Sequence, residues 1–210
     1  MIIRKKFRVE MGHIVRNCSS DRCAHSMHGH SAVIEVLLEG SHLDKAGMLY
    51  DFGLLKGGVK TFIDMFDHCY VFWDKDDPEY IKFIQQHCTR WIGLPFNPTA
   101  EMLSLMFMQA INRIIERTKK VNGESRDLRC TGVIYHETES GYAHCCEADV
   151  ETMWDGGTLD SIEFSDVVAK DADDVLGALW NGAKNCSIEP CATPFHQVDA
   201  NPTGQAQNWR

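Results

Sequence analysis

The chain has 210 residues, 44% hydrophobic and 24% charged, with a formal net charge of −9. That length and balance suit one folded domain with a real core, exclude a disordered chain, and break every apolar run well short of a membrane span. From Glu151 onward ten acidic residues face only Lys170, Lys184 and Arg210, a net of −7 out of −9, so nucleic acid is disfavoured as a partner of that segment.

Nine cysteines would suggest disulfides in a secreted protein. The opening Met1-Ile2-Ile3-Arg4-Lys5-Lys6-Phe7-Arg8 lacks the apolar core of a signal peptide, and no C-x-x-C pair occurs. Free thiols in a cytoplasmic protein are therefore expected.

In chain order, residues 2–10 read as a first strand. A polar connection, Asn17 to Arg22, leads to a second strand over 31–39, where Ala32, Ile34, Val36 and Leu38 share one face. His28-Gly29-His30 stands at the entry to that strand. Side chains two apart on a strand point the same way, so both imidazoles converge on one ion, and the glycine lets another backbone approach. If the two strands pair as a hairpin, His13 is the natural third ligand. Three imidazoles with an open fourth position describe a catalytic zinc site. An isolated H-x-H also occurs among ordinary polar histidines, so spacing alone does not decide.

Cys23 lies five residues before His28, where a nearby cation favours the thiolate that a base or nucleophile needs. Cys18 competes for that role on equal terms. Asp51 is placed to cap a helix bearing Phe52, Leu55, Val59, Phe62 and Phe66, weakened by Gly57-Gly58. Asp67-His68 follows it, a carboxylate beside an imidazole as proton transfer requires. Asn97-Pro98 reads as the cap and first residue of a second helix with an apolar stripe from Leu103 to Ile115. Residues 128–136 and 142–150 read as two more strands around a turn at Thr138–Gly141, with Glu137 either a buried carboxylate or a solvent-facing residue. The order strand, strand, helix, helix, strand, strand predicts an α+β fold: an antiparallel four-stranded sheet with two helices packed on one face. A break at Gly156-Gly157 and one helix over Asp171–Trp180 are expected in the remainder.

Read together, these residues resemble the family of 6-pyruvoyl-tetrahydropterin synthases and bacterial 6-carboxytetrahydropterin synthases. The resemblance runs in order through Val9-Glu10-Met11-Gly12-His13, Cys23, His28-Gly29-His30, Gly47-Met48-Leu49-Tyr50-Asp51-Phe52, Phe66-Asp67-His68, Asn97-Pro98-Thr99-Ala100-Glu101 and Glu137-Thr138. It implies the tunnelling fold for residues 1–153, closing into an oligomeric barrel, usually a homohexamer of two stacked trimers with active sites at subunit interfaces. It implies Zn2+ on His13, His28 and His30, Cys23 as general base with Asp67 and His68 as proton relay, and substrate contacts from Glu137, Thr99 and Glu101.

The implied reaction converts 7,8-dihydroneopterin triphosphate to 6-carboxy-5,6,7,8-tetrahydropterin, releasing acetaldehyde and triphosphate on the way to 7-deazaguanine nucleosides such as queuosine. The pyruvoyl product, and a non-catalytic metal- and pterin-binding paralogue, are the alternatives. Met11-Gly12 replaces the family's Ala-Ala, which implies different packing beside His13. Residues 154–210 form an acidic extension that reads as a docking segment, an added subunit contact or a wrapping tail.

Overall fold

Two long alternating segments build the hairpin that carries the site. The structure, a computed structural model, describes residues 1–154 and 159–180. Strand β1 (Ile2–His13) pairs antiparallel with β2 (His28–Glu39), from Ile2 opposite Glu39 to His13 opposite His28. Phe7, Val9, Met11 and His13 turn inward from β1, and Ala32, Ile34, Val36 and Leu38 are fully buried on β2. One short helical turn, α1 (Asp21–His25), spans the connection. A 3-10 turn over Leu54–Lys56 then leads to α2 (Gly58–Asp64), β3 (Cys69–Trp73), α3 (Pro78–His87), β4 (Trp91–Leu94) and α4 (Ala100–Arg117). The chain continues through β5 (Arg129–His136), β6 (Tyr142–Cys146), α5 (Glu147–Met153), β7 (Glu163–Phe164), α6 (Asp166–Asp171) and α7 (Asp173–Trp180).

The four expected strands do form an antiparallel run, but the sheet is larger than four. It is a mixed sheet of seven in the order β6-β5-β2-β1-β3-β4-β7. Strands β3 and β4 add on parallel to β1, and β7 closes antiparallel on β4. Their short apolar runs lack alternation, so periodicity does not distinguish them from other buried segments. Parallel strands need a crossover, and α3 supplies it. Its signal is Asp77-Pro78: the Asp77 side chain accepts from the N–H groups of Glu79 and Tyr80, and proline opens the helix.

Several element ends differ from expectation for local reasons. Asp51 initiates a turn instead of an α-helix, its Oδ1 accepting the Gly53 N–H at 2.7 Å, and Gly57 separates that turn from α2. Helix α4 is capped by Thr99, which accepts from the Met102 N–H at 3.2 Å, because Asn97 is committed elsewhere. Its stripe of Leu103, Met106, Phe107, Ala110, Ile111, Ile114 and Ile115 is buried against the sheet as expected. Strand β6 stops at Cys146, where the Asp149 carboxylate accepts the Cys146 N–H at 2.8 Å and opens α5.

The expected terminal helix is α7, beginning two residues later than Asp171, and a short α6 capped by Ser165 precedes it. Leu159, Ile162, Val168, Ala172 and Val175 join the same core as the hairpin, and Arg90–Asp171 and Arg113–Asp160 ion pairs fasten the rim. The expected break at Gly156-Gly157 and residues 181–210 lie outside the described residues.

The face of the hairpin turned away from the helices carries a charge cluster. Glu35, almost fully buried, pairs with Arg4 at 2.7 Å, Lys6 at 2.8 Å and His136 at 2.9 Å. Burial pushes its carboxyl up, but Lys6, His136 and Arg4 outweigh that and hold it below the ordinary glutamate range.

Candidate metal centre and active site

The hairpin register brings the three histidines together. His13 lies directly opposite His28, and His30 opposite Met11, all on the inward face. Their ring centroids are 4.7, 5.2 and 5.2 Å apart. Gly29 is required for this closeness, since a Cβ there would lie 2.8 Å from the Met11 carbonyl oxygen. At Gly12 the space is tight for a different reason: a Cβ would meet the Tyr70 ring at 3.0 Å. Met11, the other departure from the family pattern, is buried with the Tyr135 hydroxyl 3.8 Å from its sulfur.

Backbone carbonyls fix two of the rings. His13 Nδ1 bonds the Pro98 carbonyl and His28 Nδ1 the Ser26 carbonyl, both at 2.8 Å. A carbonyl only accepts, so each Nδ1 carries the proton and each Nε2 keeps its lone pair. The Nε2 atoms of all three histidines are buried without a hydrogen-bond partner, and one nitrogen from each ring lies within 4.8 Å of the others. Three orphaned ring nitrogens aimed at one point, two of them fixed as acceptors, would be costly without a cation, and this donor set fits zinc. Burial is the main force that pushes His13 down to about 4, helped by His28 and His30 against the Pro98 bond, so its ring is neutral at pH 7.

Glu137 joins this cluster. Its Oε1 is 3.5 Å from His13 Nε2 and 3.7 Å from His30 Nε2, near the roughly 3.3 Å that separates donors around a tetrahedral zinc. The turn at Thr138–Gly141 presents it, with the Glu137 and Thr138 N–H groups donating to the Gly141 carbonyl. Thr99 is a helix cap next to Pro98, and Glu101 is exposed on the first turn of α4.

Cys23 sits on α1, whose return to β1 is fixed by the Val15 N–H donating to the Cys23 carbonyl at 2.9 Å. Cys18 is turned into its own loop, its thiol donating to the Ser20 carbonyl at 3.2 Å. Cys69 is excluded as a reactive thiol, since burial pushes it up to about 12. The Asp67–His68 pair is anchored to β1: Asp67 Oδ1 accepts the Glu10 N–H at 2.8 Å, and the His68 N–H donates to the Glu10 carbonyl at 2.7 Å. Asp67 Oδ2 is 3.1 Å from His68 Nδ1. Burial raises the Asp67 carboxyl, but the Glu10 bond and His68 outweigh it and hold it low. His68 has a φ of 54° and lines an open cleft with Tyr70, Gly12, His28 and His30. Among the described residues, neither the Cys23 thiol nor the His68 ring hydrogen-bonds the three histidines.

The carbonyls of Pro98 and Ser26 are the site groups that sequence reasoning missed. Asn97-Pro98 was visible as a helix start, but backbone carbonyls leave no residue-type signal, and nothing flagged Ser26.

Three convergent imidazoles beside a carboxylate form a candidate metal-binding site on an α+β scaffold. The chain belongs to the 6-pyruvoyl tetrahydropterin synthase family, whose model matches residues 2–148. A 6-carboxy-5,6,7,8-tetrahydropterin synthase of Helicobacter pylori strain 26695 is 40% identical over 202 residues, covering 94% of this chain and 100% of the relative. Another of that name, from Helicobacter pylori strain J99, is 42% identical over 151 residues, covering 72% and 75%. An uncharacterized Wolinella succinogenes protein of known structure shares the fold, with a TM-score of 0.57 at 20% identity over 70% of this chain and 98% of that one.

Proposed function

We propose that the chain converts 7,8-dihydroneopterin triphosphate to 6-carboxy-5,6,7,8-tetrahydropterin, with release of acetaldehyde and triphosphate, in 7-deazaguanine biosynthesis. The observation that carries this reading is the set of three orphaned Nε2 atoms with Glu137 beside them. The names of the Helicobacter relatives favour the carboxy product over the pyruvoyl one.

His13, His28 and His30 would hold Zn2+, which when bound draws electron density from the substrate's side-chain oxygens and acidifies the neighbouring C–H. Cys23 removes that proton as general base, and it is favoured over Cys18, whose thiol is engaged by the Ser20 carbonyl. Asp67 keeps His68 oriented as the relay that takes the proton onward. Glu137 accepts the pterin ring's N–H and amino protons, while Thr99 and Glu101 line the substrate's approach.

The relay and the histidines are not bonded to one another within one chain, which fits a site completed between copies. Among the described residues the outer edge of β6 is open, and β1 pairs with β3 only from Met11 to His13, leaving residues 2–10 without a strand neighbour on that side. Such edges close when copies join, as in the tunnelling-fold barrel of two stacked trimers. Residues 1–153 form the catalytic unit and 154–210 the extension. No helix among the described residues is long and apolar enough to cross a membrane, and the reading places the enzyme in the cytoplasm.

Incubation of purified protein with dihydroneopterin triphosphate tests the reaction: acetaldehyde is expected, and a stable diketone product would sink the carboxy assignment. Cys23→Ala should abolish turnover while Cys18→Ala retains it; the reverse pattern transfers the base to Cys18.

A further inference from the structure

The turn that carries Cys23 is five residues long, too short to hold its own position. Two tertiary hydrogen bonds fasten its backbone. The Val15 N–H donates to the Cys23 carbonyl, and Arg16 Nη1 donates to the Ala24 carbonyl, both at 2.9 Å.

Arg16 is itself held from three sides. Its Nε donates to both Asp76 oxygens at 3.0 and 2.8 Å, and its guanidinium lies 5.0 Å from the centre of the Tyr80 ring. Its backbone N–H donates to Asn97 Oδ1 at 3.1 Å, and Asn97 Nδ2 donates back to the Arg16 carbonyl. Asn97 precedes Pro98, whose carbonyl fixes His13. The Arg16 side chain therefore joins the cysteine turn to the β3–α3 corner, while its backbone ties the same residue to the segment behind the first histidine.

We propose that Arg16 is the positioning residue that sets where the Cys23 thiol stands relative to the three histidine nitrogens. The proposal rests on Cys23 as the base. A planar guanidinium is needed because it faces a carboxylate, a carbonyl and a ring at once, which a lysine ammonium does not. Proton abstraction is sensitive to such placement, with about 1 Å of displacement costing on the order of 100-fold.

The test uses the full-length zinc-loaded protein and two readouts. In Arg16→Lys, kcat should fall roughly 10- to 100-fold, with KM and bound zinc unchanged. Alkylation of Cys23 by iodoacetamide, followed peptide by peptide in the absence of substrate, should quicken by roughly fivefold or more against Cys18 as the turn loosens. Arg16→Met, which keeps the aliphatic stem and loses every donor, should lie further in the same direction. Unchanged alkylation and unchanged kcat in both variants overturn the proposal. Zinc loss in step with kcat also overturns it, because Arg16 would then serve the metal and not the thiol. Turnover retained in Cys23→Ala removes the base assignment alone, since alkylation reports on the clasp whatever the thiol does in catalysis.

Discussion

The same two strands carry two buried polar clusters that differ in one respect. On the outward face Glu35 is enclosed by Arg4, Lys6 and His136, its charge answered by neighbours from this chain. On the inward face His13, His28 and His30 present three Nε2 atoms that no neighbour answers by a hydrogen bond. A cluster whose charges are paired is complete in itself, whereas three unpaired ring nitrogens mark a candidate site that a ligand can complete. Burial alone does not separate structure from function here; an opposing charge does, since Glu35 Oε2 also lacks a hydrogen bond but lies 2.7 Å from the Arg4 guanidinium.

The largest effect that sharpens this contrast is His28→Ala. Bound zinc should fall from near stoichiometric to near zero, with turnover reduced about 1,000-fold or more. Unchanged metal content by elemental analysis would dissolve the contrast.

Next in size is metal removal. A ligand that binds only the folded chain at 100 times its Kd adds about 2.7 kcal/mol, so a chelator should lower the thermal midpoint by several degrees and zinc should restore it. His28→Ala should show no such response. Gly29→Ala follows: its Cβ has only 2.8 Å to the Met11 carbonyl oxygen, so the hairpin must spread, costing about 1–3 kcal/mol of stability and part of the zinc affinity. Urea unfolding with and without zinc measures both.

The smallest effect belongs to the charge-paired cluster. Glu35 is held below its unfolded-state value, so its contribution is present above about pH 4.3 and is lost as pH falls through the lower folded-state value. Glu35→Gln should flatten that acid limb of the stability profile and leave zinc content and turnover intact. Loss of zinc in this variant would erase the distinction between the two faces.

The sequence carried the hairpin, the stripe of α4 and the triad because each has a residue-type signature: alternation on β2, 3.6-residue spacing on α4, and H-x-H at period two. Strands β3 and β4 have none, and their apolar runs of five and four residues fit several assignments. The cap of α4 was misplaced because Asn97 and Thr99 are both good capping residues, and only the tertiary demand of Arg16 for Asn97 decides between them. Glu137 was legible as a candidate carboxylate, but its approach to His13 depends on the register of β5 against β2, which no local pattern records.

The left-handed backbone of His68 has an evolutionary consequence. A φ of 54° costs a residue with a Cβ about 1–2 kcal/mol, and glycine or asparagine accepts it more readily. Substitution by either would relax the chain locally while deleting the imidazole. With His68 as the proposed relay, selection for heat resistance and selection for turnover therefore pull this position in opposite directions.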